Sequence, residues 1–159
     1  MKADRAIWRP RPYRPADIEI AGRLKASDLA EIEAMGETPH DGIARSVAGS
    51  DVCEIIEIDG VSEVIWGASF EGDGLACFWM LTTPRAPQSR GRFVRETDQL
   101  CRRTFDLGAQ RLYNFVYLEN AQSRRLANLC RFVERDAIEI GPRRAPFVPI
   151  ARDRVCVKV

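Results

Sequence analysis

The stretch LACFWMLTTPRAPQSRGRF at residues 75–93 combines three local signals. Its first seven residues form a continuous apolar run, which is typical of a central strand buried on both faces. Two prolines and Gly91 then forbid regular structure in the loop that follows. After this loop, apolar residues recur at helical spacing as far as Phe105, and Gly108 ends the pattern. The stretch therefore predicts a strand, a loop and a long helix in succession.

Two further helices are predicted upstream. Asp28 and Glu31 have the spacing of a capping box, and Gly36 stands where the helix that they start would end. Asp41 is positioned to cap a second, short helix. The sequence thus places two helices one after the other before the hydrophobic period changes.

Three segments in the first half of the chain have the residue pattern of a strand. Asp17–Ile20 alternates like a short strand. Residues 52–58 and 61–69 are longer predicted strands, separated by Asp59-Gly60. This dipeptide predicts a type I′ hairpin turn, because both central residues of such a turn have positive φ.

The C-terminal third continues the alternation of strands and helices. Residues 112–118 form a predicted strand, Asn120 can cap the helix after it, and the apolar residues between Ile138 and Val157 suggest one or two more strands. The predicted order is β-α-α-β-β-β-α-β-α-β-β. Hairpins give antiparallel pairs and strand-helix-strand crossovers give parallel ones, so we expect an α/β fold with a mixed sheet and helices on both faces.

The overall composition is that of one globular domain. The chain has 159 residues, of which 45% are hydrophobic and 30% charged, and this length supports one sizeable core. No apolar run approaches the ~20 residues of a membrane helix, so we expect no membrane association. The five cysteines stand 24 to 29 residues apart, which disfavours a disulfide framework and a zinc site, and no metal is expected.

The net charge of +1 conceals a segregation of charge along the chain. Residues 16–74 carry a net charge of −11, whereas residues 1–15 carry +4 and residues 75–159 carry +8. Of the 24 basic residues, 21 are Arg, whose planar and permanently charged side chain suits phosphate and carboxylate. An anionic ligand, an acidic partner and a coding bias toward Arg all fit this pattern. The large acidic block disfavours nucleic acid as the partner.

A basic, proline-rich arm over residues 1–16 precedes the single domain predicted over residues 17–159. The arm has an aromatic content unusual for a simple tag, yet it is too polar for a core segment. Trp and Arg are the residues that most often anchor interfaces. We therefore expect the arm to dock onto a neighbouring subunit, with a disordered tail as the alternative. The predicted interface residues are Trp8, Arg9, Arg11 and Tyr13.

Two stretches of the chain resemble the GNAT acyltransferase family. Residues 88–93, QSRGRF, are similar to the family's Q/R-x-x-G-x-G/A loop, where helix N-terminal amides and an accessible backbone bind the pyrophosphate of acetyl-CoA. Residues 116–120, VYLEN, are similar to the strand end that leads into the family's next helix. The sequence departs from the family at Phe93, where Gly or Ala is usual, at Arg131, and at Ala127, where many members place a Tyr as general acid.

The resemblance implies an acetyl-CoA site where the predicted strand, loop and helix meet. The implied cofactor-binding residues are Leu81, Thr82, Gln88, Arg90, Gly91, Arg92 and Asn120. Asn120 and Glu119 are the candidate catalytic residues, although Asn120 is more simply explained as a helix cap. Glu54, Glu57 and Glu63 are further carboxylates on predicted strands, from which a general base can act on an amine.

A closer likeness is to the small GNAT-like proteins of short-tailed bacteriophages, described as internal virion or assembly proteins. It rests on five short segments: the Pro39 segment before the second predicted helix, Trp66-Gly67, WMLT at residues 79–82, Asn120-x-x-Ser123-x-Arg125-Leu126 and RRAPF at residues 143–147. The likeness implies a virion-associated structural protein with a degraded acetyl-CoA site, oligomeric, bound to other virion proteins, and located in the virion or host cytoplasm. The alternative is an active acetyl-CoA-dependent N-acetyltransferase acting on an amine or protein.

Overall fold

A tight turn at Asp59 and Gly60 closes the predicted hairpin in the computed structural model, which describes residues 5–155. The two residues have φ values of 52° and 82°, as a type I′ turn requires. The strands on either side pair from Val52 to Ile58. The local signal in the sequence was therefore sufficient to place this hairpin.

The described residues contain eight strands and four α-helices. The strands are β1 (Trp8–Pro12), β2 (Val52–Ile58), β3 (Val61–Phe70), β4 (Leu75–Thr82), β5 (Arg111–Tyr117), β6 (Val133–Glu134), β7 (Ile138–Ile140) and β8 (Ala145–Asp153). The helices are α1 (Ala26–Ala34), α2 (Pro39–Ala48), α3 (Arg90–Asp106) and α4 (Ala121–Leu129), with 3-10 segments at Pro15–Arg23 and Ala86–Gln88.

All eight strands join one sheet. Their order is β1-β2-β3-β4-β5-β8-β6, and β7 also pairs with β8. The β4–β5 pair is parallel, because α3 crosses over between these strands, and the other pairs are antiparallel. The predicted α/β class with a mixed sheet is confirmed.

One apolar core packs on each face of the sheet. Helices α3 and α4 cover the first core, in which Leu100 of α3 and Trp66 of β3 are buried. Helices α1 and α2 and the first 3-10 segment cover the second core, in which Ile43 of α2 is fully buried. Neighbouring residues of β2 serve both cores, since Ile55 belongs to the second and Ile56 to the first. The prediction of helices on both faces is thus confirmed.

The N-terminal segment is an edge strand of this sheet, so the boundary predicted between an arm and a domain is wrong for the residues that are described. β1 pairs antiparallel with β2, which brings Trp8 opposite Ile58. Pro10 and Pro12 are compatible with this position, because an edge strand leaves one row of backbone groups unpaired. Residues 1–4 of the predicted arm lie outside the described residues.

The predicted interface residues are mostly satisfied within the chain. Trp8 is 8% exposed and belongs to the first core, and Tyr13 packs against the second. Arg11 donates from Nε to Glu57 Oε1 at 2.7 Å. Arg9 is exposed. The expectation that all four residues anchor a neighbouring subunit did not consider that this segment could pair with the edge of β2 in the same chain.

Asp17–Ile20 belongs to a 3-10 helix and not to the predicted strand. The helix begins at Pro15, whose fixed φ suits a first helical residue. The Asp17 carboxylate accepts the Arg14 N–H at 2.7 Å, which stabilises the turn locally. Ile20 is 2% exposed and packs into the second core. Local hydrogen bonds therefore determine the conformation of this segment. Four alternating residues are too few to distinguish a strand from a helix.

The helix caps agree only partly with the sequence. Asn120 caps α4 as predicted, since its Oδ1 accepts the Ser123 N–H at 3.1 Å. At α2, however, Thr38 Oγ1 accepts the Asp41 N–H at 3.2 Å, so the cap lies three residues before the predicted one. Asp28 lies within the first turn of α1 and does not precede it.

The C-terminal third adds three strands to the sheet. β8 pairs with β5 from Phe147 to Asp153 and also pairs with β6 and β7. The residues predicted to extend the last strand, Cys156 and Val157, lie outside the described residues. Within residues 5–155, no helix has the length and apolar character needed to cross a membrane.

Candidate active site

The sheet opens between β4 and β5. These strands pair only where Leu75–Cys77 lies beside Arg111–Tyr113, although both continue beyond this point. Asn114 stands at the end of the paired region: its Nδ2 donates to Phe78 O at 2.8 Å, and its Oδ1 accepts the Phe115 N–H at 2.7 Å. The Asn114 side chain thus forms hydrogen bonds with one backbone group on each strand, and the two strands do not pair beyond it.

The backbone of Met80 faces this opening. Thr82, two residues further along β4, donates its N–H to Asp28 Oδ2 and accepts the Lys25 N–H, both at 2.9 Å, so its polar groups point away from β3. Because bonding direction alternates along a strand, the backbone groups of Met80 point the same way. β5 does not pair with them. Met80 therefore offers a backbone donor at the opening.

Two residues predicted to bind the cofactor are not available for it. The Thr82 amide and carbonyl are already bonded, and the residue is 1% exposed. Leu81 pairs with Ile65 of β3, and it packs against the second core, on the face opposite α3. The structure corrects the prediction at both positions, because the strand end that seemed free is held by Asp28 at the start of α1.

A groove of about 780 Å³ lies between the N-terminal part of α3 and helix α4. Three of the predicted cofactor residues, Gln88, Arg90 and Gly91, line it. The other lining residues are Lys25, Pro84, Pro87, Phe93, Val94, Gln122, Ser123, Arg125, Leu126 and Leu129. The groove thus combines apolar walls with several basic groups.

The start of α3 presents unpaired backbone donors. The first hydrogen bond of the helix runs from Phe93 N–H to Ser89 O at 2.8 Å, so the N–H groups of Arg90, Gly91 and Arg92 have no acceptor within the helix. The Ser89 side chain makes no capping hydrogen bond. Nothing lies within 4 Å of a Cβ built on Gly91, so open space adjoins its backbone. An anion can approach these donors at the positive end of the helix dipole.

Two arginines of the groove remain free to bind a ligand. Among residues 5–155, neither Arg90 nor Arg125 forms an ion pair, and both line the groove. Arg92, also predicted to bind the cofactor, instead bonds from Nε to Glu96 Oε1 at 2.6 Å and stacks over the ring of Trp8. The structure therefore corrects the prediction for the Arg92 side chain, which is engaged away from the groove, and leaves the Arg92 backbone N–H among the free donors at the start of α3.

Phe93 and Ala127, two of the three departures from the family pattern, are both buried. Phe93 is 7% exposed and belongs to the first core, while it also contributes to the wall of the groove. The ring therefore leaves the backbone of Gly91 open. Ala127 is likewise 7% exposed, and no tyrosine lines the groove within the described part of the chain.

A second cavity, of about 250 Å³, lies between α1, α2 and the diverging strands β4 and β5. Met80 and Asn114, which define the opening of the sheet, both line it. Its other lining residues are Glu31, Ile32, Met35, Glu37, Gly42, Arg45, Ser46, Trp79, Leu81, Phe115, Ile140 and Phe147.

Asn120 connects the groove with this cavity. The side chain is 1% exposed, and its Oδ1 accepts from Ser123, which lines the groove. Its Nδ2 donates to Glu31 Oε2 at 3.1 Å, and Glu31 lines the cavity. Tyr117 N–H donates to the same carboxylate oxygen at 2.9 Å. Asn120, predicted as a catalytic or cofactor residue, is thus a cap that also orients a carboxylate.

Glu31 has the properties of a proton acceptor at neutral pH. The pKa of its carboxyl is raised from 4.5 to about 7, chiefly by burial and in part by the negative charge of Asp28. The hydrogen bonds from Tyr117 and Asn120 and the charge of Lys25 lower the pKa in part. A base is most effective when its pKa lies near the working pH. Glu31 is therefore the candidate general base of the site.

The carboxylates that the sequence suggested as bases lie elsewhere. Glu119 is exposed and accepts the Tyr117 hydroxyl at 3.1 Å. The three strand carboxylates have partners of their own: Glu54 binds Arg103, Glu57 binds Arg11 and Glu63 binds Thr83. None of the four lines the groove or the second cavity. The structure thus corrects their assignment.

Sequence reasoning missed Glu31, Asn114 and Met80. Glu31 has the spacing of a capping-box residue. Because this structural role was enough to explain the residue, the sequence offered no reason to consider it for catalysis. Its partners Tyr117 and Asn120 lie 86 and 89 residues away. No motif or period in the sequence marks a carboxylate whose pKa depends on groups so distant along the chain.

Solved acetyltransferase structures share this architecture. Ard1 from Thermoplasma volcanium superposes with a TM-score of 0.75 at 13% identity, covering 93% of this chain and 98% of that one. Aminoglycoside acetyltransferase AAC(6')-Ib in complex with coenzyme A gives 0.68 at 14% identity, covering 93% and 95%. A spermidine N-acetyltransferase SpeG chimera from Vibrio cholerae and hSSAT gives 0.70 at 18% identity, covering 92% and 95%.

The protein therefore has the GNAT acetyltransferase fold, as the sequence resemblance implied. No protein-family model and no curated protein matches the sequence. At 13–18% identity, the structural likeness concerns the fold alone. These neighbours give no support to the likeness to bacteriophage virion proteins.

Proposed function

We propose that this protein is an acetyl-CoA-dependent N-acetyltransferase, with the cofactor in the groove and the acceptor amine in the second cavity. The observation that carries the proposal is the position of Glu31. This carboxylate, with a pKa near 7, lines the second cavity and is bound to Asn120, which caps the helix that lines the groove. A base is thereby held next to a site for a phosphorylated ligand.

The groove residues fit coenzyme A. The free amides at Gly91 and its neighbours and the side chains of Arg90 and Arg125 would bind its phosphates. Val94 and Leu126 supply an apolar wall for the pantetheine arm. When bound, acetyl-CoA supplies an acetyl group activated as a thioester.

Two groups at the opening of the sheet would act on the reactants. Glu31 would accept the proton that the amine loses as its nitrogen bonds to the acetyl carbon and the carbon–sulfur bond breaks. The Met80 N–H would donate to the acetyl carbonyl oxygen as negative charge develops there. The proton held by Glu31 would then be available to the departing thiolate. Thiols have a pKa of ~8.5, so this leaving group needs less acid assistance than an alkoxide would.

Titration with acetyl-CoA, followed by calorimetry and by the melting temperature, tests this proposal. A ligand at ~100 times its dissociation constant stabilises a protein by ~2.7 kcal/mol. We expect the wild type to bind, and Arg90→Ala and Arg125→Ala each to weaken binding about tenfold. Arg95→Ala is the matched control, because Arg95 is exposed on the same helix and does not line the groove. Millimolar acetyl-CoA that leaves the melting temperature of the wild type unchanged would overturn the proposal.

The virion role, the oligomeric assembly and the location inferred from the sequence stay predictions. Their test is copurification with particles at a fixed copy number. Detection of the protein only outside particles would contradict them. The predicted exclusion of nucleic acid is checked by a binding assay with duplex and single-stranded DNA.

A further inference from the structure

More than half of the residues that line the second cavity are large and apolar, and this limits the amines that it can accept. Eight of its lining residues are large apolar side chains: Ile32, Met35, Trp79, Met80, Leu81, Phe115, Ile140 and Phe147. Apolar walls favour a ligand of the same character, because burial of apolar surface drives association. The part of the ligand that carries the amine is therefore expected to be a hydrocarbon.

The charges in the cavity leave one carboxylate for a ligand. Glu37 is bound by Arg45, whose Nε lies 3.0 Å from both carboxylate oxygens and whose Nη2 lies 2.6 Å from Oε1. Glu31 is the other carboxylate that lines the cavity. A ligand with several ammonium groups would bury charges without partners, which is costly.

The indole of Trp79 presents its apolar surface in a fixed position. Its Nε1 donates to Ser50 Oγ at 2.8 Å, so the polar edge of the ring is already satisfied. The ring lies against Gly67 of β3, where a Cβ would come within 2.7 Å of it. Gly67 therefore allows the position of Trp79, and any side chain there would displace the ring.

From these features we propose that the acceptor is a small monoamine with an apolar body, such as an arylalkylamine, and not a polyamine or an aminoglycoside. The cavity volume of about 250 Å³ agrees with a small ligand, since sites for drug-sized ligands are ~300–1,000 Å³. This inference rests on the proposed function only in naming the bound amine as the acceptor. Binding of the amine is a property of the cavity alone.

Binding of 2-phenylethylamine, spermidine and kanamycin to the wild type, measured by calorimetry and ligand-observed NMR without acetyl-CoA, tests the proposal. We expect 2-phenylethylamine to bind at least about tenfold more tightly than either polycation. Equal or tighter binding of a polycation would overturn the proposal, and so would the absence of 2-phenylethylamine binding. Amine binding without any acetyl-CoA binding would instead contradict the proposed function and leave the assignment of the cavity intact.

Two variants locate the binding in the cavity. Gly67→Ala should weaken 2-phenylethylamine binding at least about tenfold, whereas the control Gly22→Ala should not, because nothing lies within 4 Å of a Cβ at Gly22. Arg45→Gln leaves the fold undisturbed, since the Arg45 side chain is 65% exposed, and it releases Glu37. We expect Arg45→Gln to improve spermidine binding relative to 2-phenylethylamine. Unchanged preferences in both variants would place the amine outside the cavity.

Discussion

A substitution at Gly91 should lower the affinity for acetyl-CoA without lowering the stability of the fold. Gly91→Ala should leave the fold intact or stabilise it by up to about 1 kcal/mol, because Ala favours helices and the site for its Cβ is empty. The added methyl group would occupy the space through which a phosphate approaches the amides. We therefore expect acetyl-CoA affinity to fall about tenfold or more in calorimetry. Wild-type affinity in this variant would show that the phosphate binds elsewhere.

Glu31 couples activity and stability to pH in opposite directions. The rate should increase as pH rises through about 7, because the proposed base is the ionised carboxylate. Glu31→Gln should lower kcat by ~100-fold or more and remove this dependence, with little change in KM for acetyl-CoA. A kcat profile that keeps its ascending limb in the variant would assign the base to another group.

The same carboxyl predicts the pH dependence of folding. Its pKa in the folded protein is raised above its ordinary value, so the folded state binds more protons between pH 4.5 and about 7. Stability is therefore lost as pH rises through this window. Glu31→Gln should remove the loss and stabilise the protein at pH 8 by about 1–3 kcal/mol in urea denaturation. A variant less stable than the wild type at pH 8 would contradict the raised pKa.

At the scale of elements, β1 decides whether the N-terminal segment belongs to the domain. Trp8 is 8% exposed within the first core, and truncation of a buried Trp to Ala costs ~3–5 kcal/mol. We expect Trp8→Ala to reduce the free energy of unfolding by that amount. Arg9→Ala, on the exposed neighbour in β1, should change it by no more than about 0.5 kcal/mol. Similar small effects of both changes would restore the interpretation as a separate arm.

At the scale of the whole molecule, ion pairs between the two halves neutralise part of the segregated charge. Arg103 binds Glu54, Arg85 binds Asp59 and Arg143 lies 3.8 Å from Glu33. Exposed pairs of this kind contribute little to stability. Many arginines of residues 75–159 therefore form ion pairs within the chain, whereas Arg90 and Arg125 in the groove form none among the described residues.

This distribution predicts a salt dependence of cofactor binding. In the proposed complex the phosphates lie near the free side chains of Arg90 and Arg125, and salt would screen the attraction between them. Raising the salt concentration from about 50 to 500 mM should weaken acetyl-CoA binding several-fold, and the double variant Arg90→Ala/Arg125→Ala should show a smaller change. Fluorescence or calorimetric titrations at several salt concentrations measure this. An affinity independent of salt would argue against phosphate contacts in the groove.

Much of the fold was predictable because its signals are local. The turn at Asp59-Gly60, the strand and helix around residues 75–106 and the cap at Asn120 each depend on a few adjacent residues. Of the candidate site, the sequence predicted the loop residues Gln88, Arg90 and Gly91, because a recognisable motif contains them. Thr82 was misassigned because its amide is bound by Asp28, a residue 54 positions away.

Adjacent residues therefore specify the order of most helices and strands, the hairpin and the unpaired amides at the start of α3, because turn geometry and helix ends depend on neighbouring residues. Tertiary packing is what makes Trp8 complete the sheet, puts Asn114 in the gap where β4 and β5 part, and raises the pKa of Glu31. Burial and hydrogen-bond partners depend on groups that folding brings together from distant parts of the chain.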